Sequence, residues 1–117
     1  MPLAPSYVLT VRFYATASGR EPVRDWLIGL GKVSRQTIGE DIKTVQLGWP
    51  LGMPLVRKLE PGLWEVRITV PEGIVRIFFT TLGSDMVLLH AFAKKTQTLP
   101  KDDLTLARRR KKEVQDG

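Results

Sequence analysis

The sequence contains no cysteine and only one histidine, His90. Without cysteine the chain forms neither a disulfide nor a thiolate metal site, and a single histidine excludes a metal site built from several imidazoles. No apolar run approaches the roughly 20 residues that a membrane-spanning helix requires. The first residues also lack the basic head and long apolar core of a signal peptide. We therefore expect a cytoplasmic protein with no metal, no cofactor and no membrane partner.

Negative charge is also scarce relative to positive charge. The chain has 117 residues, of which 43% are apolar, and this predicts one compact domain spanning residues 1–117. Its net charge is +6 and its pI is near 10.0, which favours polyanionic partners, nucleic acid first. Residues 1–56, 57–95 and 96–117 each carry six basic and four acidic side chains. Any basic surface must therefore be assembled by folding.

Three strands are predicted between Arg57 and Lys95. In the first, which includes Trp64–Val70, apolar side chains alternate with polar ones, as expected of a half-buried strand. Turn residues at Pro71–Gly73 follow the first strand, and turn residues at Leu82–Asp85 follow the second. The second and third strands are rich in Val, Ile, Leu and Phe. The pattern predicts an antiparallel meander of three strands.

The turn between the first two strands determines which side chains meet. A four-residue turn, Val70–Gly73, would place Arg67 directly opposite Arg76 on one face of the sheet. Two facing arginines repel each other by a few tenths of a kcal/mol or more, and this suggests a bound phosphate between them. The alternative is an ion pair with Glu65 on the same face, a common contact worth about 0–1 kcal/mol at a surface. Continuing the pairing into the third strand would bring His90 beside Arg76.

Helical segments flank the meander in the sequence. A β-rich segment, Tyr7–Tyr14, comes first. Pro22 is suited to the first turn of a short helix, and Ser34 is suited to cap a second helix that ends near Gly48. These two helices form a hairpin that would cover the apolar face of the meander, and a last helix is predicted from about Lys101 to Glu113. The predicted fold is therefore α+β, with a mainly antiparallel sheet.

The last helix carries five consecutive basic residues, Arg108–Lys112. Such a run resembles a nucleic-acid-binding motif. Cations at a helix C-terminus also interact favourably with the helix dipole, so the alternative is a solvated helix end. Both interpretations stay open at this point.

Several pieces of the chain together resemble the HigB branch of the RelE/ParE toxin superfamily, including its phage-derived RelE-like proteins. The pieces occur in the expected order and cover nearly the whole chain. They are GREPVRDWL, GWPLGMPLVRKL, KLEPGLWEVRI, VRIFF, VLLHAFAKKTQTLP and LARRRKK.

The resemblance implies a compact RelE-like toxin fold and the activity of an endoribonuclease that cleaves messenger RNA in the ribosomal A site. It also implies a cognate helix-turn-helix antitoxin, so that the protein would be a monomer or part of a toxin–antitoxin hetero-oligomer. Two alternatives remain. One is a toxin of the ParE type that acts on DNA gyrase, and the other is an inactive phage-derived binding protein.

The resemblance also implies site residues. Arg76 matches the arginine that RelE-type proteins place against the scissile phosphate, and Arg67 falls where RelE has active-site lysines. Lys94 and Lys95 match the basic position after the last strand. Lys58 would be a further phosphate contact, and Arg108 would contribute from the basic run. In the implied reaction the ribose 2′-hydroxyl attacks the adjacent phosphate and leaves a 2′,3′-cyclic phosphate.

This chain departs from RelE in one respect that affects substrate binding. RelE has a C-terminal tyrosine that stacks on the substrate base, whereas no tyrosine follows Tyr14 here. Stacking is worth about 1–3 kcal/mol per base, so Phe92 or His90 would have to replace that tyrosine. Histidine is the residue type best suited to acid–base catalysis near neutral pH, and His90 is the one histidine in the sequence. It is either an acid–base catalyst or a buried hydrogen-bonding residue.

Overall fold

A computed structural model of the chain describes residues 7–94 and 100–117. Within these ranges the protein is compact and α+β, with three helices and a five-stranded mixed sheet. The elements are β1 (Thr10–Phe13), α1 (Pro22–Ile28), α2 (Lys32–Gly48), β2 (Val56–Glu60), β3 (Leu63–Val70), β4 (Gly73–Leu82), β5 (Asp85–Lys94) and α3 (Lys101–Asp116). The sheet order is β1-β5-β4-β3-β2, with β1 parallel to β5 and every other pair antiparallel.

The helical hairpin of α1 and α2 covers one face of the sheet, as predicted. Val23 of α1 and Ile38, Ile42 and Val45 of α2 are buried against apolar side chains of the strands. Their three- and four-residue spacing puts them on one side of each helix. The strand residues in this core are Val56, Val66, Ile68, Val70, Val75, Ile77, Phe79, Met86, Leu88 and Ala91.

Helix α3 packs on the opposite face of the sheet. Its buried residues are Leu104 and Ala107. They contact a second apolar cluster, formed by Leu63, Phe78, Val87, Leu89 and Phe92 with Tyr14. Both faces of β4 and β5 are therefore covered, which explains why these strands are apolar on both sides.

The pairing of β3 with β4 agrees with the prediction, and that of β4 with β5 does not. Arg67 lies opposite Arg76, and Val70 pairs with Gly73 at the turn. Across from β4, however, His90 pairs with Phe78, because Met86 lies opposite Thr81, one residue later in β4 than the predicted pairing requires, and a bulge between Phe78 and Phe79 shifts the ladder by one more residue. The prediction that His90 lies beside Arg76 is therefore wrong. A strand that is apolar on both faces does not fix its own register.

The ends of several elements also differ from the prediction. The first strand is shorter than Tyr7–Tyr14, and β2 was not predicted. Helix α2 begins at Lys32, after Gly31 at the N-cap position. Ser34 is inside the helix, and its hydroxyl donates a hydrogen bond to the Glu72 carboxylate in the β3–β4 turn. This contact ties α2 to the end of the sheet where β3 and β4 meet.

Candidate functional site

Three arginines lie on one face of the sheet, which we call the arginine face. Arg67 of β3 and Arg76 of β4 are directly opposite each other. Arg57 of β2 is opposite Glu65 of β3, and Glu65 and Arg67 are two residues apart on one strand. Since alternate residues of a strand project from the same face, all four side chains lie together on the face that also carries α3.

Glu65 occupies the space between the two facing arginines. One carboxylate oxygen is 3.8 Å from Nε of Arg67, and the other is 3.8 Å from Nε of Arg76. Glu65 is completely buried. The repulsion between the arginines is therefore offset by a carboxylate of the protein itself, and a bound phosphate is not needed to hold them together. The geometry matches the alternative interpretation, extended to both arginines.

Burial of the charged Glu65 carboxylate is energetically unfavourable. Neither of its oxygens accepts a hydrogen bond within residues 7–94 and 100–117. Burial raises the pKa of Glu65 above 4.5, and the charges of Arg76, Arg67 and Arg57, in that order, oppose this shift without cancelling it. The desolvation of the carboxylate thus outweighs its attraction to the three guanidinium groups.

The two facing arginines differ in their access to solvent. Arg76 is only 3% exposed, whereas the side chain of Arg67 is 28% exposed. In this conformation Arg67 can contact a ligand directly, and Arg76 acts on such a ligand through its charge. Arg57 is exposed and adds a third positive charge at the β2 edge of the arginine face.

A cavity of about 430 Å³ opens beside Arg67. Thr69 and Ile74, which pair across β3 and β4, line it together with Arg67. The connector Met53–Leu55 and Asp41 of α2 also line it. Burial, followed by the charge of Glu40, raises the pKa of Asp41. The cavity thus combines a cation, a carboxylate, a hydroxyl and an apolar surface.

His90 and Phe92 are engaged with each other and with α3. Nε2 of His90 is 2.6 Å from a carboxylate oxygen of Asp103. The imidazole stacks on the Phe92 ring, with centroids 5.4 Å apart, and the Phe78 ring meets Phe92 edge-on at 5.2 Å. Phe92 is only 9% exposed. These contacts favour a structural role for His90, and the stacking covers one face of each ring.

Of the other predicted residues, Lys58 and Arg108 lie away from the facing arginines. Lys58 pairs with Trp64 and is therefore on the face covered by the helical hairpin. Arg108 makes an ion pair of 2.8 Å with Glu60. Arg57, the neighbour of Lys58, is the basic residue of β2 that lies on the arginine face.

The last predicted pair, Lys94 and Lys95, is only partly described. Lys94 is the final residue of β5, and its Cα is paired with that of Ile74. Ile74 also lines the cavity beside Arg67. The backbone of Lys94 is thus close to the candidate site, and Lys95 lies outside the described residues.

Part of the basic run holds α3 against the sheet. The Arg110 guanidinium donates a hydrogen bond to the Leu89 carbonyl and lies 5.0 Å from the centroid of the Tyr14 ring. Lys111 donates to the Pro61 carbonyl. Together with the Arg108–Glu60 pair, these contacts favour a packing role over a nucleic-acid motif for three of the five residues.

Sequence reasoning missed the third arginine and the cavity. Arg57 is detectable only if Val56–Glu60 is recognised as a strand, and its five residues lack a clear alternation. The sequence of the connector Met53–Leu55 does not indicate that it lines a cavity. Met53 is 65% exposed, and no pattern in the sequence shows that it lies beside Arg67.

The described part of the chain contains neither a metal-binding cluster nor a membrane-spanning helix. No group of three or more His, Cys, Asp or Glu residues is arranged to hold a metal ion there. None of the helices in these ranges has the length and apolar content needed to cross a bilayer.

Comparison with known proteins identifies a family. A family model described as phage-derived protein Gp49-like (DUF891) matches residues 25–112. The matched range includes both helices of the hairpin for most of their length, β2 to β5, and the arginine face. No curated protein matches the chain.

Proposed function

Because the chain belongs to the Gp49-like family of phage-derived proteins, part of the RelE/HigB-like toxin superfamily, we propose that it is the toxin of a type II toxin–antitoxin system. Within that superfamily we assign it to the HigB type. We further propose that it is a ribosome-dependent mRNA interferase, an endoribonuclease that acts on messenger RNA in the A site.

The observation that carries the proposal is the position of Arg67. Its guanidinium is partly exposed, lines an open cavity and faces a second arginine across the sheet. A guanidinium presents donors in a geometry that suits phosphate oxygens. The charge of Arg76 strengthens the positive potential at the same point, while Glu65 keeps the two cations close together.

The arrangement suits attack of a ribose 2′-hydroxyl on the adjacent phosphate. The new O–P bond forms as the bond from phosphorus to the 5′ oxygen breaks, and the product carries a 2′,3′-cyclic phosphate. Negative charge accumulates on the phosphorane oxygens, where Arg67 and Arg76 stabilise it. The 2′-hydroxyl proton passes to a base, and the 5′ oxygen gains a proton. We assign neither role to His90, since its Nε2 is bonded to Asp103.

The proposal is tested by inducing expression in bacteria and mapping messenger 5′ ends. Wild type is compared with Arg67→Ala and with the control Arg35→Ala, an exposed arginine of α2 on the other side of the sheet. We expect cuts in codon register within translated regions, retained by Arg35→Ala and lost by Arg67→Ala. Arg76 is a poorer choice for this test because its burial makes unfolding a competing explanation.

Other outcomes of the expression experiment would indicate other functions. Growth arrest with intact messengers contradicts the interferase proposal, and DNA-damage signalling would then direct attention to gyrase. Absence of arrest with a folded protein would leave only a binding role. We also expect an antitoxin with a helix-turn-helix domain, and co-expression of such a protein from an adjacent reading frame should restore growth.

A further inference from the structure

The cavity beside Arg67 is lined by both polar and apolar residues. Its polar residues are Arg67, Asp41 and the exposed Thr69, and its apolar residues are Ile74 and Met53–Leu55, the last three of which we call the apolar shelf. Its volume of about 430 Å³ is within the roughly 300–1,000 Å³ typical of small-ligand sites. Such a cavity accommodates a ligand that is anionic at one end and flat and apolar at the other.

The Arg67 guanidinium is held in place by a residue buried within the sheet. The buried Glu65 carboxylate is 3.8 Å from Nε of Arg67, so it restrains the flank of the guanidinium from the protein interior. Thr69, two residues along the same strand, projects from the same face and supplies a hydroxyl donor. A guanidinium and a hydroxyl on one surface form a suitable contact for a single phosphate group.

The apolar shelf exposes surface that a nucleobase would cover. Met53 is 65% exposed, and the polarizable thioether of methionine makes favourable contacts with aromatic rings. The two aromatic rings that were expected to stack on the substrate, those of His90 and Phe92, are instead stacked on each other. Asp41 also lines the cavity, and a carboxylate accepts hydrogen bonds from the amino group of a base.

We propose that this cavity binds one unpaired nucleotide of a single strand, with its phosphate at Arg67 and Thr69 and its base against the apolar shelf. The base, rather than the phosphate alone, then contributes to affinity. The choice of RNA over DNA rests on the proposed function. The nucleotide site itself rests on the cavity.

The test measures binding of fluorescent tetranucleotides to the purified full-length protein. Four probes are used: an RNA, the DNA of the same sequence, and each backbone without bases. We expect the RNA to bind more tightly than its abasic form. Met53→Ser should weaken binding of the RNA by about two- to twelvefold and leave the abasic backbone unchanged. Arg67→Gln should weaken both by about tenfold or more, because it removes a charged contact to phosphate.

A matched control is Leu82→Ser, because Leu82 is also an exposed apolar residue and lies at the opposite end of β4 from the cavity. We expect it to bind all four probes as wild type does. Three results would overturn the nucleotide site: equal affinity of wild type for the RNA and its abasic form, equal loss for both in Met53→Ser, or no binding at millimolar probe.

The outcomes separate this inference from the proposed function. Base-dependent binding that is stronger for DNA than for RNA would support the nucleotide site and contradict the interferase. The same conclusion would follow if the protein bound RNA in a base-dependent way but messengers stayed intact in induced cells. Conversely, messenger cleavage in cells together with base-independent binding would refute the site and leave the interferase in place.

Discussion

Replacing Glu65 by glutamine should change how the stability of the protein depends on pH. The pKa of Glu65 is 4.5 without the influence of the fold, and burial raises it in the folded state against the charges of the arginines. Between those two pKa values the folded state holds a proton that the unfolded state has lost. Stability relative to Glu65→Gln is therefore greatest below pH 4.5 and falls as the pH rises through the folded pKa.

The size of the effect follows from proton counting. One proton bound by the folded state and not by the unfolded state gives a slope of at most about 1.4 kcal/mol per pH unit. Glu65 is completely buried, so salt should reduce the slope only slightly. Outside the window between the two pKa values, the difference between wild type and Glu65→Gln should be constant.

The assay is urea unfolding followed by tryptophan fluorescence, from about pH 4 to about pH 8. Subtracting the curve of Glu65→Gln removes the contribution of other titrating groups as far as they are shared. The variant Arg67→Ala provides a second test, because loss of this charge raises the folded-state pKa of Glu65 further and extends the upper limit of the window to higher pH. A wild type that instead gained stability relative to Glu65→Gln with rising pH would show that ion pairing outweighs desolvation, contrary to our account.

Three further predictions concern residues other than Arg67, Arg76 and Glu65. Glu60→Gln breaks an ion pair that is short at 2.8 Å but exposed, so unfolding in urea should show a loss of only about 0–1 kcal/mol; a loss of several kcal/mol would contradict this. Tyr14→Phe removes the hydrogen bond from Tyr14 to Glu113, and the same measurement should show a loss of about 0.5–3 kcal/mol; an unchanged midpoint would mean that the bond does not hold α3 in solution. Asp41→Asn should alter the preference among tetranucleotides of different base, and it should not weaken abasic binding, because it removes a negative charge from a cavity that binds phosphate; identical base preferences would remove Asp41 from the site.

Local patterns in the sequence predicted the half of the sheet that contains Arg67 and Arg76. The alternation of Trp64–Val70 gives each side chain a definite face, and the turn at Pro71–Gly73 has few alternative lengths. Register and facing residues follow from those two facts. The match of the family model to residues 25–112 agrees with the resemblance at the level of the superfamily.

The remaining parts depend on contacts between distant segments. The pairing at the β4–β5 turn and a bulge in the ladder each move His90 by one residue relative to the predicted position beside Arg76, and the apolar sequence of β5 carries no sign of either. The cavity joins α2, the connector Met53–Leu55 and β3, which are brought together only by the completed fold. Glu65 was considered as a surface partner for Arg67, but its complete burial depends on packing that no local pattern encodes.

The position of β1 has a consequence for synthesis of the protein. Thr10 pairs with Asp85, and Tyr14 bonds to Glu113, 99 residues later in the chain. On a translating ribosome β1 therefore cannot pair in the sheet until β5 has emerged from the ribosome. The hydrogen bond from Tyr14 to Glu113 forms only after α3 has emerged as well. Contacts of such long sequence separation also slow folding in general. The sheet beside β5 should thus be the last part of a newly made molecule to close.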